Sequence, residues 1–392
     1  MPVIHVHCSE LTGSRRGIHR AMPKDTDFES LSVCIDGSPL LVRSAGVKTY
    51  LYHWMRSLRA VSPDATHCYL APVNGRLNHA GGPPRHLLHL AALSILNRTG
   101  GVLADLAAPR CDVFHASNLL RYPPHRPRLS ATVHDLTSWI IPECRTFIDV
   151  RSDKDFAQRI LTRADGLIAV SENTRKDAIR ILNIHPDKIR VIYPGVPESY
   201  FTVRKSKVSS QSYVLFVGTI EPRKNVMSLM TAWASLPPAF RREHRLLIAG
   251  MKGWNVESTM RRLAQMTRDD ASVEYLGYVP EDDMPALVAG ACALVYPSLY
   301  EGFGIPVAQA MAAGCPVITS HNSSLREVAG DAALLIDPRS VAEIAGAIRK
   351  VAESATLQDN LRLLGLERAK RFTWKRVALE SLRYFADVSG SD

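Results

Sequence analysis

Apolar residues along the chain collect in short unbroken runs separated by polar turns. SLSVCIDG at 30–37, CDVFHAS at 111–117, LSATVHDLT at 129–137 and GLIAVS at 166–171 each read as a buried strand. Between them the spacing changes to helical periods at 47–59, at 153–163 and in SENTRKDAIRIL, where Ser171 is placed as an N-cap and Asp177 falls inside the helix. Strands alternating with helices predict a mostly parallel sheet with crossover connections. The pattern lapses over YPGVPESYFTVRKSKVSSQS at 193–212, the best linker in the chain, and then restarts. YVLFVGT at 213–219, HRLLIAG at 244–250, VEYLG at 273–277, ALVYPS at 293–298 and CPVITS at 315–320 predict a second α/β half. A last amphipathic run at 374–388 is a helix that could pack on either half. Before residue 30 there is one short strand candidate, Val3–His7, in a polar and basic stretch.

Length agrees with two units: 392 residues with 46% hydrophobic composition suffice for two ordinary cores. The formal charge of +10 favours anionic partners, without choosing between nucleotide phosphates, anionic lipid and nucleic acid. Seven dispersed cysteines, none in a CxxC arrangement, predict reduced thiols in a cytosolic protein. No apolar stretch is long enough for a signal sequence core or a membrane span. Two segments with basic edges, WMRSLRAV at 54–61 and HLLHLAALSILNR at 86–98, read either as core helices or as a peripheral contact with an anionic membrane.

In doubly wound sheets ligands bind beyond the carboxyl ends of the strands. That rule selects Ala45–Gly46, His134–Asp135, Gly218–Asn225, Gly250–Gly253 and Ser298–Gly304. In the third of these, Arg223 and Lys224 precede a helix that Asn225 is able to cap. A planar fork, a point charge and helix amides suit a diphosphate, with both residues expected as loop cations with little core burial; a solvated turn with surface charges is the alternative. In the last, Glu301 stands before Gly302, Gly304 and Pro306, with a helix running on toward Met311. A phosphate would be repelled by Glu301 but held by the amides of 302–305, so a ligand carrying both phosphate and neutral hydroxyls reconciles the turn. The acidic pairs DTD at 25–27 and DKD at 153–155, and the scattered His5, His7, Cys8 and His19, lack the spacing of a metal site, and no metal is expected.

VGTIEPRKN, EGFGIPVAQAMAAGCPVI and SSLREVAGDAALLIDP, all within 213–340, closely resemble the donor-binding domain of retaining glycosyltransferase family 4. Weaker similarity in SAGVKTY, TVHDLT and GLIAVSENTRKD extends the resemblance to about residue 30. It implies a GT-B fold, two Rossmann-like α/β domains facing each other across a cleft. Residues 1–29 would be an extension, 30–200 an acceptor-binding domain, 201–372 a nucleotide-sugar-binding domain, and 373–392 a helix returning to the first domain. By position, Arg223 and Lys224 would hold the donor diphosphate and Glu301 the hexose hydroxyls. Gly218, Gly302, Phe303 and Gly304 would line the sugar and phosphate, and Gly46 would face the diphosphate from the first domain. His134 resembles the histidine that reaches the donor sugar near the reacting carbon, where it could act electrostatically, orient a hydroxyl or accept the acceptor's proton; read from its position alone, the neighbouring Asp135 could fix its tautomer, and Tyr278 and Val279 would border the base. Where the family carries a second glutamate, commonly paired with the ribose hydroxyls of the donor, this chain has Gln309, whose neutral amide carbonyl can still accept from a hydroxyl but more weakly. The implied donor is a nucleotide sugar, GDP-mannose or a UDP-sugar, with no required cofactor. The implied acceptor is a glycan or a lipid-linked oligosaccharide, not nucleic acid. The overall similarity is to bacterial mannosyltransferases of surface polysaccharide assembly.

Overall fold

The computed structural model describes residues 28, 30–41, 46–70, 86–99, 104–106, 109–203 and 212–390. The Val3–His7 strand candidate, His5, His7, Cys8, His19, the 25–27 acidic pair and Ala45 lie outside them. Among the described residues twelve strands form two parallel sheets. In the first sheet β1 (Val33–Asp36), β2 (Thr66–Tyr69), β3 (Val113–Ala116), β4 (Arg128–Val133), β5 (Gly166–Ala169) and β6 (Ile189–Val191) lie in the order β2-β1-β3-β4-β5-β6. In the second, β7 (Ser212–Val217), β8 (His244–Ala249), β9 (Val273–Gly277), β10 (Ala293–Tyr296), β11 (Val317–Ser320) and β12 (Leu334–Ile336) are ordered β12-β11-β10-β7-β8-β9. Helices cover both faces, which is why the central strands are continuous apolar runs without alternation.

Strand order reverses between β1 and β3 in one sheet and between β7 and β10 in the other, so the loops after these strands diverge and leave a crevice. The edge strands β2, β6 and β12 are short, and the hydrophobic pattern did not reveal them. The helix expected from Asp153 begins earlier, at Phe147, because Thr146 caps it: Thr146 Oγ1 accepts from Asp149 N at 3.2 Å. Asn225 is not a side-chain cap. It has φ 58°, and its Nδ2 donates instead to Pro297 O and Pro338 O, tying the turn after β7 to two later loops.

Helix α1 (Gly46–Val61) carries Tyr50, Leu51, Trp54, Met55 and Leu58 on one buried face. Trp54, Met55 and Leu58 are wholly enclosed, so of the two readings of 54–61 the core helix is the one its apolar face follows. In α2 (His86–Thr99), Leu93 and Leu96 are buried and Ile95 is exposed. The last helix, running Trp374–Ser389, packs on the first sheet's half, where Trp54 Nε1 donates to Ser381 Oγ at 3.0 Å inside a cluster with Val377, Leu382 and Phe385. The chain passes between halves twice side by side, with Val196 N donating to Phe372 O at 2.9 Å. Among the described residues no helix is long and apolar enough to cross a membrane.

Candidate active site

The loops after β7 and β10 meet at the switch point of the second sheet. β7 delivers Glu221, Arg223 and Lys224 through a short 3₁₀ turn at Pro222–Lys224, and β10 delivers Tyr296, Ser298 and Glu301. The two loops are joined by Leu299 N donating to Arg223 O at 2.8 Å. Arg223 and Lys224 are not the loop cations with little burial that the sequence implied; each is only 9% exposed. Arg223 pairs with Glu221 at 2.6 Å and Glu301 at 2.5 Å, and it donates to Tyr300 O at 2.8 Å. Lys224 Nζ donates to Glu301 Oε1 at 2.6 Å and to the Tyr296 hydroxyl. Ser298 Oγ and Tyr296 OH add further bonds to the same carboxylate oxygen, at 2.6 and 3.0 Å. Two cations and two carboxylates thus form one buried, balanced cluster, as the cost of an isolated buried charge requires.

The electrostatics follow from this packing. Burial pushes the Glu301 carboxyl up, but Arg223 and then Lys224 outweigh it and hold it at about 2. Burial lowers Lys224, with repulsion from Arg223 adding to it. Burial also opposes the charge on Arg223, yet Glu301 and Glu221 raise it well above its ordinary range. The Nε of Arg223 and the Oε2 of Glu221 are buried without partners among the described residues, one unused donor and one unused acceptor.

The first half contributes His134, just after β4. Its carbonyl lies so close to Gly302 that a Cβ there would fall 1.7 Å from the oxygen; no other residue fits. The His134 ring packs edge-on against Tyr50 with centroids 5.0 Å apart, and burial lowers it to about 4, so it is neutral at pH 7. Asp135 does not fix its tautomer: Oδ1 accepts from Thr137 N at 2.9 Å, and the His134 ring has no hydrogen-bond partner among the described residues. A small, partly open space beside His134 is bounded by Asp36, His115, Ser117 and Thr132, at the switch point of the first sheet.

Sequence comparison matches residues 44–200 to the model described as Glycosyltransferase Family 4 and residues 201–365 to Glycosyl transferases group 1. The chain is 33% identical over 283 residues to O-antigen chain mannosyltransferase B of Escherichia coli, covering 70% of this chain and 74% of that protein. The chain belongs to glycosyltransferase family 4. It is also 26% identical over 227 residues to the serotype-specific mannosyltransferase WbdA of Escherichia coli, which is longer; the match spans 28% of it. Among solved structures, Anabaena HepE in complex with UDP-glucose superposes with a TM-score of 0.66 at 18% identity, over 92% of this chain and all of that one. The fold is GT-B, and the protein is a nucleotide-sugar-dependent glycosyltransferase that acts on a glycan or lipid acceptor.

Against that family frame, Arg223, Lys224, Glu301, Gly302 and Gly304 come together at the β7/β10 crevice, and His134 meets them from the other half. Gly304, at φ 96°, opens the helix Ile305–Ala312 in a conformation that favours glycine. The Phe303 ring is core, 5.3 Å from Phe372, which leaves its backbone to border the turn. Gln309 lies on the same helix, partly exposed, with no side-chain partner among the described residues. Gly218 follows β7 directly. Tyr278 and Val279 follow β9; Tyr278 is half exposed and Val279 packs on the core. Gly46, exposed at the start of α1, has open space around it. Asp153 of the DKD pair accepts from Ser138 Oγ at 2.5 Å and pairs with Arg145 at 3.2 Å, while Asp155 pairs with Arg121 and Arg159. No group of three or more His, Cys, Asp or Glu is placed to hold a metal among the described residues. Sequence reasoning missed Glu221, Tyr296 and Ser298. The signal for Glu221 was its position two residues before Arg223.

Proposed function

We propose that the enzyme transfers a hexose, with retention of anomeric configuration, from a nucleoside-diphosphate sugar to a glycan or lipid-linked oligosaccharide. Mannose from GDP-mannose is the first donor to test. The observation that carries the reading is the buried Arg223–Lys224 pair at the switch point, with one Arg223 N–H unused among the described residues. As the anomeric C–O bond breaks, negative charge gathers on the diphosphate, and cations fixed at that point favour the transition state over the ground state. The amides of residues 302–305 would meet the phosphate oxygens. Glu301 has both oxygens bonded to the chain's own donors, so it is poorly suited to attack the sugar as a nucleophile. Front-face attack, in which the leaving phosphate helps remove the acceptor's proton, therefore fits retention better. A neutral His134 would orient a hexose hydroxyl and would not supply positive charge.

Mannose is favoured by the 33% identical O-antigen mannosyltransferase. A UDP-sugar donor, glucose or N-acetylglucosamine, is the second reading, prompted by the UDP-glucose complex of a protein with this fold. Contact with an anionic membrane surface is proposed from the +10 charge; vesicle binding that did not weaken with salt would contradict it. The deciding assay incubates the full chain with GDP-mannose, UDP-glucose or UDP-N-acetylglucosamine and a lipid-linked glycan, and measures acceptor-dependent release of nucleoside diphosphate. Release with GDP-mannose alone supports the first reading, and release with a UDP-sugar alone supports the second. No release with any donor, together with tight diphosphate binding, would instead indicate a nucleotide-sugar-binding protein.

A further inference from the structure

The SSLREVAGDAALLIDP segment supplies Glu327, which has no part in the donor site described above. Glu327 stands on the helix Ser323–Ala329 of the second half, yet its carboxylate reaches the helix Glu172–Leu182 of the first. Oε1 accepts from Glu172 N at 2.7 Å and Oε2 from Asn173 N at 3.0 Å, while Tyr193 OH donates to Oε1 at 2.7 Å. The first amides of a helix have no partner within it and carry its positive end, so a carboxylate satisfies them on both counts. One half of the molecule therefore caps a helix of the other.

The next turn of that helix faces the loop carrying Glu301. Thr174 Oγ1 donates to Gly302 O at 3.0 Å, and Asp177 Oδ2 accepts from Tyr300 OH at 2.8 Å, both in buried surroundings. Gly302 also lies against His134 O. The residues on either side of Glu301 are thus held by the first half, while Arg223 holds the Tyr300 carbonyl from the second. This is a two-sided clamp on the loop that carries the carboxylate.

We propose that Thr174, Asp177 and Glu327 are positioning residues for transfer: Glu327 docks the helix Glu172–Leu182, and Thr174 and Asp177 set the backbone around Glu301, so the donor site reaches its working geometry only when the two halves are joined. The proposal rests on the transferase reading for its rate measurements but not for its structural one. The test uses full-length Tyr300→Phe, Thr174→Val and Thr174→Ser, each checked for folding by thermal unfolding. It measures kcat, KM for the donor, calorimetric Kd for the nucleoside diphosphate, and hydrogen exchange over 298–304. Tyr300→Phe and Thr174→Val should lower kcat by about tenfold or more, since small misplacements of a catalytic group are costly. KM and Kd should change by far less than kcat, because Arg223 and Lys224 still hold the diphosphate while the loosened 302–304 turn gives up part of its share. Thr174→Ser keeps the hydroxyl and should retain near-parental kcat, and exchange over 298–304 should quicken in the first two variants only. Unchanged kcat, or diphosphate affinity falling in step with kcat, overturns the proposal. If Tyr300→Phe does not fold, the Thr174 pair carries the comparison. If the parent transfers no sugar, the transferase reading fails while the exchange rates still decide this one: unchanged exchange in Thr174→Val refutes it.

Discussion

Replacing Arg223 by methionine keeps most of the side-chain volume and removes the charge that two carboxylates share. Glu221 and Glu301 would then be left with Lys224 alone, and a cluster of two cations and two anions would become one of net −1. Removing one partner of a buried ion pair costs about 3–5 kcal/mol, because the other charge stays desolvated. For a unit of this size that corresponds to a fall in Tm of about 10 °C. The sign of the pH dependence is the sharper test. In the parent, Glu301 at about 2 lies below its ordinary 4.5, so its contribution is complete above pH 4.5 and is lost as the pH falls toward 2. In Arg223→Met burial is no longer outweighed, the carboxyl rises, and protonation relieves the fold. The deficit relative to the parent should therefore shrink as the pH is lowered from 7 to 5, as measured by paired thermal unfolding. A variant whose Tm stays within about 2 °C of the parent, corresponding to less than about 1 kcal/mol, or whose deficit does not change with pH, would refute the buried-cluster argument.

Glu301→Gln leaves the cluster with an excess positive charge, so nucleoside diphosphate should bind as tightly as to the parent or more tightly by calorimetry, while transfer is lost; weakened diphosphate binding would place Glu301 elsewhere. Gln309→Glu should restore a charged acceptor for the ribose and strengthen donor binding by up to about 1.5 kcal/mol, with kcat little changed. If that variant binds ribose and 2′-deoxyribose donors no differently from the parent, Gln309 does not read the ribose. His115, buried between Ser130 and Thr132, is lowered by burial to about 3, so the unfolded chain takes up its proton first. Stability should be full above about pH 6.5 and fall by about 2 kcal/mol at pH 5 from this group; His115→Gln should flatten that part of the unfolding profile, and an identical slope would remove His115 as its source.

The turns were legible because their chemistry is local: Gly302, Gly304, Pro306 and the Arg223–Lys224 pair announce a backbone and a charge pattern within a few residues. Ser171 was read as a cap for the same reason, and its Oγ accepts from Thr174 N at 3.0 Å. What local patterns could not convey is partnership across the chain. Arg223 and Glu301 lie 78 positions apart and meet only because β7 and β10 are neighbours in the sheet. Their mutual burial, and with it the error of treating Arg223 and Lys224 as exposed, follows from that strand order. Asn225 misled in the same way, since Pro338 O, 113 residues on, takes the amide that was expected to cap the helix. The place of the Phe303 ring is likewise set across the chain, by Phe372, 69 positions on. The strands β2, β6 and β12 escaped notice because short edge strands carry too little apolar sequence to stand out from loops.

The most direct test of the central claim follows the anomeric centre itself. Full-length protein is incubated with GDP-mannose carrying carbon-13 at the anomeric position and a lipid-linked glycan acceptor, and the one-bond carbon–hydrogen coupling of donor and product is read by NMR, with Arg223→Met and Lys224→Met alongside. The account predicts a glycosidic product with the donor's α configuration from the parent and a large loss of that product from both variants. A β-linked product, or undiminished transfer by the folded variants, would contradict it.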